Sequence, residues 1–345
     1  MPANELANIA RAMVAPGKGI LAADESDGTI KKRFDGIGVP STEDNRRSYR
    51  EMLFTAEGVE EFVSGVILYD ETARQKAADG QRLIDVLAAK GILAGIKVDK
   101  GARPLAGAPG EKITEGLDGL RPRLEEYRTM GCHFAKWRAV IAIDVRDRLP
   151  SDACIAANAH ALARYAALCV EQGLVPIVEP EVLMDGNHTI EDCYAATERT
   201  LQWVFAELYR QRVPLEQTIL KPNMVLSGAD CPKQASAPEI AEATLRCFRR
   251  TVPAAVPGIV FLSGGQTEVE ATANLNEINR RGQDCPWKLS FSYGRALQAS
   301  ALQAWLGKAE NQPSAQQALY HRAKLNGAAC LGSYLPTMEA TEATL

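Results

Sequence analysis

Eight short runs of apolar, often β-branched residues recur along the chain, at 19–23, 63–69, 92–98, 134–143, 174–179, 217–225, 258–262 and 287–291. Most are followed by a polar turn and then by a stretch with helical spacing, the signature of repeated βα units. From the third run to the seventh the starts recur about every 40 residues, which suits a strand, a helix and two loops. Residues 43–56, 79–90, 117–130, 152–172 and 190–212 carry the helical spacing, and glycine follows three of them, at Gly91, Gly131 and Gly173. Ser236 with Glu239, and Thr267 with Glu270, have the spacing of a capping box. No linker rich in Pro, Gly or Ser divides the chain, so the pattern predicts a single (β/α)8 TIM barrel over 1–345. The Thr, Ala and Glu of 337–345 predict a mobile C-terminal tail. A doubly wound open sheet is the alternative, but it ordinarily carries a glycine-rich phosphate fingerprint after its first strand, and Leu21-Ala22-Ala23-Asp24-Glu25-Ser26 has none.

Polar pairs interrupt this apolar pattern. Alternate strand residues face a barrel interior, so residues two apart share a face. Lys97 and Asp99, Lys136 and Arg138, Glu179 and Glu181, and Lys221 and Asn223 all fall two apart at or near strand C-terminal ends, and Asp24 follows the first strand. Any one pair reads as a salt bridge at a strand end. Five strands agreeing predicts convergence on the barrel mouth, where catalytic residues of this fold sit. Lys221 is the sharpest case, set in Ile219-Leu220-Lys221-Pro222-Asn223-Met224. A buried ammonium either finds a partner or loses its proton, and Pro222, which cannot donate to a ladder, places the lysine where the strand ends. Crowding of Lys97, Lys136, Arg138 and Lys221, with desolvation, would depress a lysine pKa and leave a neutral amine, a nucleophile for a carbonyl.

The last two strands end differently. Phe261-Leu262-Ser263-Gly264-Gly265 and Phe291-Ser292-Tyr293-Gly294-Arg295 leave the barrel through hydroxyls and glycines. Loops after strands seven and eight often hold a phosphate in this fold, and Arg295 can pair with it bidentately. Ser26, Thr29, Lys32 and Arg33 after strand one offer hydroxyls and cations across the mouth, so a substrate with two anionic groups fits.

A net charge of −4 leaves no overall basic surplus, so neither nucleic acid nor an anionic membrane is expected as a partner. The N-terminus lacks a basic segment followed by an apolar core, and no apolar run approaches the roughly 20 residues of a membrane span, which points to the cytosol. The 8 cysteines lack CxxC spacing and read as reduced thiols; the 4 histidines, at 133, 160, 188 and 321, are dispersed, so no metal and no cofactor is expected.

At this point the chain resembles class I fructose-bisphosphate aldolases, over residues 17 to about 334. The resemblance rests on Gly19-Ile20-Leu21-Ala22-Ala23-Asp24-Glu25-Ser26, Gly95-Ile96-Lys97-Val98-Asp99-Lys100-Gly101, Phe134-Ala135-Lys136-Trp137-Arg138, Pro176-Ile177-Val178-Glu179-Pro180-Glu181, Leu220-Lys221-Pro222-Asn223-Met224 and the two glycine loops. It implies reversible cleavage of fructose 1,6-bisphosphate into dihydroxyacetone phosphate and glyceraldehyde 3-phosphate, in glycolysis and gluconeogenesis, through a Schiff base and without metal. By matching motif, Lys221 would form the imine, Glu179 would act as acid and base in carbinolamine dehydration, Lys136 would assist electrostatically, and Asp24 would help deprotonate the C4 hydroxyl. Ser263, Gly264, Gly265, Ser292, Gly294 and Arg295 resemble the site for the phosphate nearer the imine. Ser26, Thr29, Lys97 and Arg33 resemble contacts for the other end, with Arg138 also at the mouth. A cytosolic homotetramer acting on sugar phosphates is the family's usual state. Animal members end in a tyrosine, whereas this chain ends Glu342-Ala343-Thr344-Leu345.

Three rivals are weaker. A metal-dependent aldolase needs clustered histidines. A transaldolase-like lyase would not need two facing phosphate sites. A non-catalytic sugar-phosphate sensor or scaffold would typically have lost one of Asp24, Lys136, Glu179 and Lys221.

Overall fold

The computed structural model describes residues 3–340. Eight parallel strands close into a barrel in chain order: β1 Gly19–Ala23, β2 Val63–Leu68, β3 Leu93–Lys97, β4 Phe134–Ile141, β5 Val175–Val182, β6 Ile219–Leu220, β7 Gly258–Phe261 and β8 Lys288–Tyr293. Each predicted run holds one of these strands, and the barrel fold stands as read. Boundaries differ at several ends. β5 runs on to Val182 through Pro180, β8 runs on to Tyr293, and β6 stops at Leu220 because Pro222 brings no N–H to the ladder.

Side-chain alternation explains what fills the barrel. Ile20 and Ala22 of β1, Ile67 of β2, Phe134 of β4, Val175 and Ile177 of β5, Ile219 of β6 and Val260 of β7 form one buried apolar cluster. The N-terminal helix Ala3–Met13 packs on it through Leu6, Ala10 and Met13, closing the barrel floor. The Phe134 ring fills the space left by Gly95, where a β-carbon would lie 2.1 Å from it. The intervening residues, such as Leu21, Val66, Ile96, Trp137, Val178 and Phe261, belong to a larger cluster under the surrounding helices.

The predicted helices appear as Glu43–Thr55, Leu83–Ala89, Leu120–Met130, Asp152–Glu171 and Ile190–Arg210. At the predicted capping boxes, Glu239 accepts from the Ser236 backbone N–H at 2.8 Å, and Glu270 from that of Thr267 at 2.9 Å. Helix Asp152–Glu171 is, against expectation, long and apolar enough to cross a membrane; here it packs on β4 and β5 with more than half of its most apolar window buried. An antiparallel ribbon, Ala102–Pro104 with Lys112–Thr114, was not foreseen.

The expected tail falls partly on 341–345, which lie outside the described residues. Before them, Pro336–Ala340 form a 3-10 turn. Buried Arg322 clamps Glu339 through two hydrogen bonds of 2.9 and 2.8 Å, and the Tyr334 hydroxyl donates to the same carboxylate at 2.8 Å.

Candidate active site

The two-residue period that stacks apolar side chains on the barrel floor carries polar ones to its mouth. Continuing the inward rows, Ala22 leads to Asp24, Gly95 to Lys97, Phe134 to Lys136 and Arg138, Ile177 to Glu179 and Glu181, Ile219 to Lys221, and Ser290 to Ser292. These polar groups border one cavity of about 640 Å³, and so do Ser26, Thr29, Arg33, Ser263, Gly264, Gly265, Gly294 and Arg295. Asn223 does not. Its Oδ1 accepts from the Val182 N–H at 3.1 Å and its Nδ2 donates to Thr197 Oγ1 at 3.1 Å, behind the cavity wall. Strand alternation has lapsed beyond Leu220, so Asn223 no longer shares a face with Lys221.

At the centre the charges alternate. Lys221 Nζ lies 3.2 Å from Glu179 Oε1, and the other oxygen of that carboxylate lies 3.4 Å from Lys136 Nζ. Lys136 also reaches Asp24 Oδ2 at 2.8 Å and Asp99 Oδ2 at 3.9 Å, while Lys97 pairs with Asp99 Oδ1 at 2.8 Å. Lys136, Glu179 and Lys221 are each 3–4% exposed, so these contacts act with little solvent screening. The crowding of cations expected from the sequence is therefore absent at Lys136, because carboxylates stand between the lysines. Burial works against the Lys136 ammonium, but Asp24, Glu179 and Asp99 outweigh it and hold its pKa well above the ordinary lysine value. Burial likewise opposes the Asp24 carboxylate, yet Lys136 and Lys221 push its pKa well below the usual range.

Around this centre a second set of pairs supports the site. Arg138 pairs with Glu181, and Asp99 accepts from the Gly101 N–H at 3.1 Å and the Arg138 N–H at 3.4 Å. Arg33 pairs with buried Glu25, whose other oxygen takes Arg50 Nη2 at 2.6 Å. Gln298 donates to Glu25 Oε1 at 3.0 Å and to the Ala22 carbonyl at 2.8 Å, and the Tyr49 hydroxyl donates to Gln298 at 3.0 Å. Glu25, Arg50 and Gln298 were missed as site supports. Glu25 sits within the Asp24 motif, but nothing local in sequence links it to residues 50 and 298.

The β7 and β8 loops meet at the mouth in a tight glycine turn and a helix start. Gly264 and Gly265 have φ of 58° and 99°, a turn that a side chain would strain. Gln266 braces it by donating to the Ser263 carbonyl at 2.8 Å and accepting from Asn274 at 2.7 Å. Ser292 Oγ is buried without a hydrogen-bond partner, and Arg295 opens helix Arg295–Trp305 beside it. A β-carbon at Gly294 would lie 3.4 Å from Arg33 Nη2, so Arg33 stands beside the β8 loop rather than only across the mouth. Across the mouth, Ser26 stands at the N-cap position of helix Asp27–Asp35, its Oγ directed not to the helix backbone but to Thr29 Oγ1 at 3.2 Å. Among the described residues, no group of three His, Cys, Asp or Glu side chains is arranged to hold a metal.

Such a site can bind a doubly anionic chain end to end and move protons at its centre. Comparison with known proteins places the chain in a family. The model of the glycolytic class-I fructose-bisphosphate aldolase family matches residues 5–344. A probable fructose-bisphosphate aldolase class 1 of Xanthomonas campestris pv. campestris is 59% identical over 335 residues, 97% of this chain and 99% of its own. The fructose-bisphosphate aldolase of Dictyostelium discoideum is 55% identical over 333 residues, covering 96% and 93%. A solved structure of fructose-bisphosphate aldolase from Plasmodium falciparum, in complex with TRAP and a small-molecule inhibitor, matches with a TM-score of 0.95 at 49% identity, covering 97% of each chain. On both the family match and the identity over nearly its whole length, the chain belongs to the class-I fructose-bisphosphate aldolase family.

Proposed function

We propose that this class-I fructose-bisphosphate aldolase cleaves its substrate through an imine on Lys221. The observation that carries the reading is a desolvated amine 3.2 Å from a carboxylate at the centre of a cavity with hydroxyls and cations at both ends. Glu179 takes a proton from Lys221, the amine adds to the C2 ketone, and Glu179 returns the proton as the carbinolamine loses water. The protonated imine then accepts the electron pair released when the C3–C4 bond breaks. Asp24 receives the C4 hydroxyl proton. A carboxylate held so far below its usual range keeps that proton only transiently and releases it to solvent at the cavity mouth, while the Lys136 ammonium, 2.8 Å from Asp24 and 3.4 Å from Glu179, holds both carboxylates in place. The held ammonium of Lys136 also offsets negative charge as it develops. The resulting enamine is protonated at C3, and hydrolysis of the imine frees dihydroxyacetone phosphate.

Ser263, Gly264, Gly265, Ser292, Gly294 and Arg295 anchor the phosphate nearer the imine. Ser26, Thr29 and Lys97 anchor the other, and Arg33 and Arg138 line the space between. Fixing both ends holds the scissile bond over the amine. The family's usual state, a cytosolic homotetramer in glycolysis and gluconeogenesis, is carried into this reading. Light scattering of the purified chain checks the assembly.

Asp24→Asn with fructose 1,6-bisphosphate and borohydride tests the division of labour. The account expects a six-carbon adduct to accumulate, because the imine forms but cleavage stalls. Only a three-carbon adduct, formed at the wild-type rate, would remove Asp24 from the cleavage step.

A further inference from the structure

The loop after β5 carries a sulfur to the Gly264-Gly265 turn. Its backbone is fixed to the loop after β6: the Met184 carbonyl accepts from the Ala229 N–H at 2.7 Å, that of Gly186 from Asp230 at 2.9 Å, and that of His188 from Gly228 at 2.8 Å. This short ladder fixes where the Met184 side chain starts. A β-carbon built on Gly265 would lie 3.0 Å from Met184 Sδ and 3.5 Å from Arg295 Nη2, and one on Gly264 would lie 3.8 Å from the same sulfur. The thioether thus rests on the Gly264-Gly265 turn, and the Arg295 guanidinium approaches the same side of Gly265. Met13, Met52 and Met224 are buried. Met130 and Met338, half-buried like Met184, lie elsewhere: Met130 ends helix Leu120–Met130, and Met338 Sδ accepts from the Leu335 N–H at 3.3 Å in the C-terminal turn.

We propose that Met184 is an oxidative modification site that controls phosphate binding at this turn. A hydroperoxide transfers its terminal oxygen to Sδ. The O–O bond breaks, the sulfur gives up two electrons, and water or the parent alcohol leaves. A thioether sulfur is a weak acceptor, whereas a sulfoxide oxygen is a strong one on a now polar side chain. Held against the turn, that oxygen competes with the substrate phosphate for the Gly265 N–H and the Arg295 guanidinium. The effect falls on substrate affinity, because Met184 lies against the Gly264-Gly265 turn and takes no part in the ion pairs of Asp24, Lys136, Glu179 and Lys221. The step is reversible by methionine sulfoxide reductase, which makes the site a switch rather than a lesion. The inference rests on the reading of the turn as a phosphate anchor.

The test treats the full chain with hydrogen peroxide and follows sulfoxide at each methionine by peptide mass mapping alongside kinetics. Met184 should oxidise ahead of Met130 and Met338, and dihydroxyacetone phosphate should slow it. KM for fructose 1,6-bisphosphate should rise at least about tenfold, the loss expected for one charge-assisted contact, while kcat changes less than about twofold. The reductase should restore KM. Met184→Leu, compared with its own untreated state, should show no peroxide response, which separates the effect from thiol oxidation. Untreated Arg295→Ala serves as the parallel arm. If it raises KM but Met184 sulfoxide does not, or if Met184→Leu responds as the wild type does, the modification claim fails and the phosphate assignment survives. If Arg295→Ala leaves KM unchanged, the phosphate assignment fails and this inference fails with it.

Discussion

Lys136→Met removes the central cation while keeping most of its volume. In the native protein Lys136 Nζ sits 2.8 Å from Asp24, 3.4 Å from Glu179 and 3.9 Å from Asp99. At an effective dielectric of about 20 each contact is a gross attraction of roughly 4–6 kcal/mol, most of it offset by desolvation of the ammonium. The variant reads the penalty of leaving buried carboxylates unpaired, about 3–5 kcal/mol. With an unfolding entropy of about 2.1 cal/mol/K per residue over 345 residues, that lowers Tm by roughly 4–7 °C. The pH dependence identifies the cause. Asp24 has a native pKa depressed by Lys136 and Lys221 against burial, so its contribution is present above the unfolded carboxylate value, about 3.9, and is lost as pH falls further. Lys136 has a raised native pKa, with Asp24, Glu179 and Asp99 outweighing burial, so its contribution is present below about 10.4 and is lost as pH rises beyond. The Tm gap between wild type and variant should therefore be widest between about pH 5 and 10 and narrow toward pH 3. Calorimetry across that range, with circular dichroism to confirm the fold, is the assay. A gap that is absent at neutral pH, or that widens in acid, would refute the assignment of Lys136 as the charge holding these carboxylates.

Three further outcomes follow from the same geometry. Arg295→Ala removes a charge-assisted anchor worth about 1.5–3 kcal/mol, so KM for the bisphosphate should rise about 10- to 150-fold, while a substrate lacking the phosphate near the imine loses far less; equal losses would remove the phosphate role. Gly95→Ala puts a methyl 2.1 Å from the Phe134 ring, an overpacking that should cost at least about 1–3 kcal/mol in chemical denaturation and be partly relieved by Phe134→Leu; full additivity of the two changes would contradict the contact. Glu339→Ala leaves Arg322 buried without its carboxylate and should lower Tm, while ending the chain after Ala340 should change turnover by less than about tenfold, because 341–345 hold no phenol to donate a proton; a hundredfold loss in a folded protein would put that segment in the chemistry.

The barrel was legible because its signal is local: each strand is a short apolar run, and a period of two carries both the floor and the mouth. The polar pairs at strand ends were visible for the same reason. Their electrostatics were not. Sequence spacing put Lys97, Lys136, Arg138 and Lys221 at one mouth, but whether like charges meet depends on how Asp24, Asp99, Glu179 and Glu181 interleave from other strands, and that is a property of barrel closure. Asn223 was misplaced because alternation holds only while the strand does, and Pro222 ends it. Glu25, Arg50 and Gln298 form one network from three distant segments, with no periodicity to link them. Met184 had no motif at all, since its place beside Gly265 is set by hydrogen bonds between two loops.

The central claim is that Lys221 is the imine-forming amine at the centre of an alternating charge array. Borohydride reduction in the presence of dihydroxyacetone phosphate, followed by peptide mass mapping, tests it most directly. The account predicts one three-carbon adduct, on Lys221, lost in Lys221→Met and still formed after treatment with a chelator. An adduct on Lys136 or Lys97 instead, or none in a protein that still cleaves the bisphosphate, would contradict it.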